Sequence, residues 1–127
     1  MQWQSLLWVG IGGFFGANAR YILSSWVNAS ITDRGIPYGT AFVNITGSFL
    51  LAFFLVYISK RTNMPDNISL LIGTGFFGAY TTFSTYANES LHLINDGQWL
   101  TGIGYIITTN LLCIFGVVLG MSLAQRF

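Results

Sequence analysis

The residues of this chain best equipped for chemistry are one amide, a set of hydroxyls and a few charges, all embedded in apolar sequence. Asn44 recurs with Thr40, Gly47, Ser48 and Leu51 at i+3 and i+4 spacing, which lays a small polar stripe along one face of a helix. Such a stripe must face protein or water. Two readings of the amide stay open: an interhelical hydrogen bond, worth about 0.6 kcal/mol in membranes, or a pore-lining group whose two N–H donors replace water around an anion. Farther on, Tyr105 and Thr109 lie one turn apart with Thr108 and Asn110 beside them. Hydroxyls and amides from several helices, without a buried acid to attract cations, lean towards a neutral or anionic solute.

The stretch 75–86, GFFGAYTTFSTY, concentrates the irregularity. Gly75 and Gly78 precede Thr81, Thr82, Ser84 and Thr85, while Phe83 and Tyr86 stand three residues apart. In hydrocarbon every backbone group must be satisfied internally, so residues that loosen a helix are tolerated only where protein or a water-filled cavity surrounds them. The stretch therefore predicts a helix break between Gly78 and Thr82, buried in an assembly. Carbonyls freed at a break can coordinate a cation, as in broken transporter helices; a simple kink is the plainer alternative. Phe83 and Tyr86 share a face, and aromatic rings present a positive edge to an anion, although such a pair also serves ordinary packing.

Arg20, Glu89 and His92 are the ionisable residues nearest the membrane interior. A charge at a helix centre costs about 2.5–3.5 kcal/mol, so these residues belong at a vestibule, a partner or the interface. Arg20 either draws anions to an aqueous entrance or snorkels to headgroups. Glu89 and His92 at i, i+3 suit a metal pair in spacing, but no Cys or second His completes a transition-metal set. No nucleophile stands with an adjacent base and an orienting group, and no phosphate-binding loop is present, so catalysis is not expected. Cys113, the single cysteine, sits in an apolar run and reads as a small buried hydrophobe.

These residues are positioned by membrane helices. The chain of 127 residues is 53% hydrophobic and only 7% charged, against roughly a quarter charged in soluble domains. A net charge of +1 offers no basic surface for nucleic acid. Polar punctuation cuts the sequence into four spans of roughly 20 residues or more, at 5–27, 38–59, 68–94 and 99–124. Trp3, Trp26 and Trp99 fall at span ends, where amphipathic rings favour the headgroup level. Lys60, Arg61 and Arg126 on one side nearly balance Arg34 and Arg20 on the other. Since the Lys/Arg imbalance fixes orientation, the chain either inserts both ways and pairs with an inverted copy, or follows a weak bias. Gly12 with Gly16, and Gly116 with Gly120, provide packing faces.

The segments GGFFGANARY, GTAFVNITGSF and GFFGAYTTFSTYANE, with a fourth span carrying Tyr105 and Asn110, resemble the Fluc (CrcB) family of bacterial fluoride channels over essentially the whole chain. The resemblance implies an all-α membrane protein. A single subunit, 1–127, would contribute four helices with a break in the third, and pair as an antiparallel homodimer in the inner membrane. It further implies two fluoride pores, passive export of cytoplasmic fluoride, a central structural sodium ion and no organic cofactor. By position, Asn44 matches the pore asparagine, Phe83 and Tyr86 the two box phenylalanines, and Ser84, Tyr105 and Thr109 the polar track, with Thr40 joining the pore from the Asn44 stripe. Tyr86 departs from the family, which usually carries Phe there. Gly78 and Thr81 would lend backbone carbonyls to sodium, and Arg20 matches the vestibule arginine. The rival is a small dual-topology multidrug exporter, which needs a membrane-embedded acid in the first span; this span holds Arg20 and no Asp or Glu.

Overall fold

The computed structural model describes residues 3–32, 35–60 and 64–127. Arg34 and Arg61, which enter the charge count above, lie outside the described residues. Among those described the protein is all-helical, with no strand. Three helices, α1 (Trp3–Ser30), α2 (Tyr38–Ser59) and α6 (Trp99–Ala124), are long and apolar enough to cross a membrane. Their outward faces carry large apolar side chains such as Phe14, Phe15, Leu111 and Phe115. The buried positions, by contrast, are mostly glycines, Thr40, Asn44 and Thr109, with Val43 fully enclosed. This inversion follows from a solvent as apolar as leucine, in which helices associate through close backbone approach and hydrogen bonds.

Between α2 and α6 the chain takes a composite path. A short α3 (Asp66–Ser69) leads into an eight-residue π-helix (Leu70–Phe77), then α4 (Gly78–Tyr80) and α5 (Phe83–Asn95). Thr81 (φ −87°, ψ 158°) and Thr82 (φ −149°, ψ 114°) are extended. The irregular backbone thus lies at the far end of the expected 78–82 window, and Gly78 itself is helical (φ −62°, ψ −33°). Sequence periodicity did not anticipate the π-helix. Its seat is tertiary: a methyl on Gly12 would collide with the Leu71 carbonyl and come within 2.8 Å of the Phe76 nitrogen. One on Gly16 would strike the Phe76 carbonyl. The two α1 glycines therefore form a groove for the π-helix backbone of the same chain.

The remaining packing is pairwise: α2 runs along α6, α1 lies against the π-helix and α4, and α5 docks on α6. Gly116 and Gly120 of α6 admit the Ile45 and Phe49 carbonyls of α2. Ends are tied by local chemistry. The Thr82 hydroxyl accepts from the Thr85 N–H at 3.3 Å, an N-cap that starts α5 directly after the extended pair. At the other end Gly97 adopts φ +81°, and the N–H groups of Gly97 and Gln98 return to the carbonyls of Ile94 and Leu93. This is the Schellman closure, which needs a residue that tolerates left-handed backbone. Lys60 Nζ donates to the Ala124 and Gln125 carbonyls (3.2 and 2.6 Å), where a cation complements the end of α6.

Candidate functional site

Asn44 and the extended pair form the centre of the site. The Asn44 amide is buried, with Nδ2 donating to the Thr82 carbonyl at 3.0 Å and Oδ1 accepting from the Thr82 N–H at 2.8 Å. The amide thus substitutes for a neighbouring peptide group. It satisfies both backbone groups of a residue that has left the helical ladder, a requirement where water is excluded. One N–H of the amide is committed to Thr82, so a single N–H remains for any other acceptor.

Around this pairing lies a cavity of about 260 Å³ lined by Asn44, Thr81, Thr82, Phe83, Tyr86 and Thr109, with Ser48, Leu51, Asn110 and Cys113 completing the wall. Five of the residues to which the resemblance gives a pore or sodium role meet here: Asn44, Thr81, Phe83, Tyr86 and Thr109. The aromatic pair is in contact, with ring centroids 5.8 Å apart at 52°. Its members differ in setting, since Tyr86 is buried whereas Phe83 is 77% exposed in the single chain. Tyr86 also meets Tyr105, with centroids 5.4 Å apart. Cys113, which the sequence marks as a small hydrophobe, borders the cavity.

Thr40 and Tyr105 are placed one turn away from this cavity, on the sides of α2 and α6 that face α5. There they converge on Glu89: Thr40 Oγ1 donates to Oε1 at 2.8 Å and the Tyr105 hydroxyl lies 3.4 Å from Oε2. Glu89 in turn borders an open hollow of about 500 Å³ with Asn28, Pro37, Asn88, His92 and Asp96. The polar groups therefore form two storeys below a mouth, Asn44 with Thr109 at the lower level and Thr40 with Tyr105 at the upper. The sequence marks Glu89 as an interior ionisable residue and, with His92, as a metal pair in spacing, not as a partner of Thr40 and Tyr105. Its link to Thr40 and Tyr105 joins positions 49 and 16 residues apart, which no local spacing displays.

The other expected residues lie at the rim or elsewhere. The Ser84 side chain is exposed, its hydroxyl 3.4 Å from that of Thr82. Arg20 Nη1 lies 3.4 Å from the Thr81 carbonyl, beside the extended pair. Gly78 is exposed, and nothing lies within 4 Å of where its Cβ would be. His92 turns Nδ1 towards the Asn88 carbonyl of its own helix, at 2.9 Å. Among the described residues no group of three or more His, Cys, Asp or Glu is placed to hold a metal ion. Asn110 and Thr82 contribute through partners that sequence spacing does not display: the Tyr86 hydroxyl for Asn110 and the Asn44 amide for Thr82. The link from Tyr86 on α5 to Ile106 and Asn110 on α6 becomes visible only when the helices are paired.

A helical protein with several membrane spans, polar groups turned inward and a hydroxyl-lined hollow belongs to the class of multi-pass membrane proteins. The particular family follows from comparison: residues 7–121 match the family described as CrcB-like protein, Camphor Resistance (CrcB), and the chain belongs to it. A relative from Koribacter versatilis (strain Ellin345), named "Fluoride-specific ion channel FluC", is 46% identical over 93% of each chain. Relatives of the same name from Hahella chejuensis (strain KCTC 2396) and Hydrogenobaculum sp. (strain Y04AAS1) are 38% and 41% identical. The first alignment covers 98% of both chains, the second 94% of this chain and 97% of the relative. The family is one of bacterial membrane channels and not of enzymes.

Proposed function

We propose that the chain is the subunit of a fluoride-selective passive channel that lets fluoride leave the cytoplasm. The observation that carries this reading is the gathering of Asn44, Thr109 and the Phe83–Tyr86 pair at one cavity, in a chain whose relatives are named for fluoride. Fluoride is small and strongly hydrated, so a path for it needs close donors in place of water, and a constriction that larger halides cannot enter. The remaining N–H of Asn44 and the hydroxyls of the two storeys have that character. No part of the path requires a gating ligand or covalent chemistry, and the acid that a proton-coupled exporter would need is absent from α1.

The composite path from Asp66 to Asn95 serves as the fourth crossing in this reading, with Thr81 and Thr82 as its interruption. Phe83, Ser84 and Thr85 are exposed in the single chain beside that interruption. Hydrocarbon is a poor surrounding for exposed hydroxyls; a second, inverted copy would cover them. The nearly balanced Lys/Arg distribution supports insertion in both orientations. Two copies then give two equivalent pores.

The residues also suit a cation at the interruption. Thr82 donates its N–H to Asn44, so the Gly78 carbonyl loses the donor that a continuous α-helix would supply. The Thr81 carbonyl lies in extended backbone and is approached only at 3.4 Å by Arg20. Carbonyls of Gly78 and Thr81 from two copies would make a set of neutral oxygens appropriate to sodium, which would supply positive charge between the pores. Arg20 would withdraw from Thr81 to admit it.

Purified protein in liposomes tests the reading. Electrogenic fluoride efflux without chloride efflux is expected, together with a dimer that is more stable in sodium than in sodium-free buffer. Proton-coupled drug movement without fluoride conductance would overturn the channel, and equal dimer stability in both buffers would remove the structural ion.

A further inference from the structure

Tyr86 stands at the position where the family usually has phenylalanine, and its extra oxygen is fully engaged. The hydroxyl donates its only proton to the Ile106 carbonyl at 3.1 Å. It accepts from Asn110 Nδ2 at 2.6 Å, and the same nitrogen donates to the Ile106 carbonyl at 2.8 Å. Phenol, amide and carbonyl therefore close a triangle on α6, which consumes the phenol proton and both N–H groups of Asn110. Nothing in that triangle is left to donate to an anion, although both side chains border the cavity that holds Asn44 and Phe83.

We infer that Asn110 is a positioning residue for the permeation path, acting through the Tyr86 ring. The inference rests on the fluoride reading above. The Tyr86 side chain is packed between Phe83 and Tyr105 (centroids 5.8 and 5.4 Å), and the triangle fixes its far end against α6. With Asn110 removed, the phenol oxygen gains freedom to turn into a cavity of only about 260 Å³. An oxygen there brings lone pairs against a passing anion, or donates a proton that holds the anion in place; either slows transit. Asn110 thus makes a tyrosine serve in a place suited to phenylalanine, by keeping its polar end out of the path.

The test is a cycle of four proteins assayed for fluoride efflux from liposomes: wild type, Asn110→Leu, Tyr86→Phe and the double variant. Asn110→Leu is expected to slow efflux about two- to tenfold, the scale of one lost hydrogen bond. The double variant should match Tyr86→Phe alone, because the role inferred for Asn110 is to hold the phenol oxygen. A merely structural Asn110 would lose the same factor in both backgrounds, and that result, or an Asn110→Leu rate equal to wild type, overturns the inference while leaving the channel intact. Absence of fluoride efflux from wild type would overturn both. Should Asn110→Leu fail to assemble, Asn110→Ala is compared in the same two backgrounds with the same criteria.

Discussion

Replacing Asn44 with leucine isolates the part of the site that the backbone depends on. Leucine is close in volume and apolar, so it fills the position but abandons both the N–H and the carbonyl of Thr82. Thr82 is 8% exposed, which leaves little water to compensate. Each buried, unpaired backbone group costs about 1–3 kcal/mol, so the pair costs about 2–6 kcal/mol. An ordinary interhelical side-chain bond in a membrane contributes about 0.6 kcal/mol. The two figures are far enough apart to separate the alternatives for Asn44 by equilibrium unfolding in mixed micelles, with helix content and assembly state followed together. A loss within the 2–6 kcal/mol range, with fluoride efflux lost as well, is expected. A loss no larger than about 0.6 kcal/mol would show that Thr82 readily finds other partners, and would refute the role of Asn44 as its surrogate peptide. Asn44→Asp sharpens the comparison, because a carboxylate still accepts from the Thr82 N–H but sets a second acceptor against the Thr82 carbonyl; it too should destabilise.

Gly16→Val places atoms against the Phe76 carbonyl of the π-helix and should abolish a monodisperse fold, whereas Gly10→Ala, with nothing within 4 Å, should leave the melting temperature unchanged. A similar loss from both would remove the groove as the reason for the glycine. Gly78→Val tests the opposite situation: open space surrounds that glycine in the single chain, so the variant should keep monomer helicity and lose dimer, read by cross-linking in micelles. An unimpaired dimer would show that no second copy approaches there.

Much of the helical layout is legible in the amino-acid pattern because the membrane imposes a length and a polarity. The stretches 38–59 and 99–124 coincide with α2 and α6, while α1 runs a little beyond 5–27 at both ends. Local cues pointed to irregular backbone within 78–82, where Thr81 and Thr82 are extended and Gly78 is helical. They did not give its form, since apolar residues pattern an α-helix and a π-helix alike, and the π-helix is seated against Gly12 and Gly16 some 60 residues away. The site shows the same division. Asn44 stands out as an amide on a polar stripe, but its partner is the backbone of Thr82, which has no signature among side chains. Thr40 and Tyr105 read as independent hydroxyls until Glu89 is seen between them, and Tyr86 reads as an odd substitution until Asn110 is placed beside it.

The π-helix at Leu70–Phe77 also bears on how the length of this gene product can change. A wide helix is an α-helix that has absorbed extra chain. Shortening it by one codon can be accommodated by tighter winding, with the flanking helices still in phase. In α2 or α6 the same deletion would turn every later side chain by about 100°, carrying Asn44 away from Thr82 or Tyr105 away from Glu89. Residues 70–77 are the slack in an otherwise fixed register, and single-residue insertions and deletions that preserve a working protein should collect there.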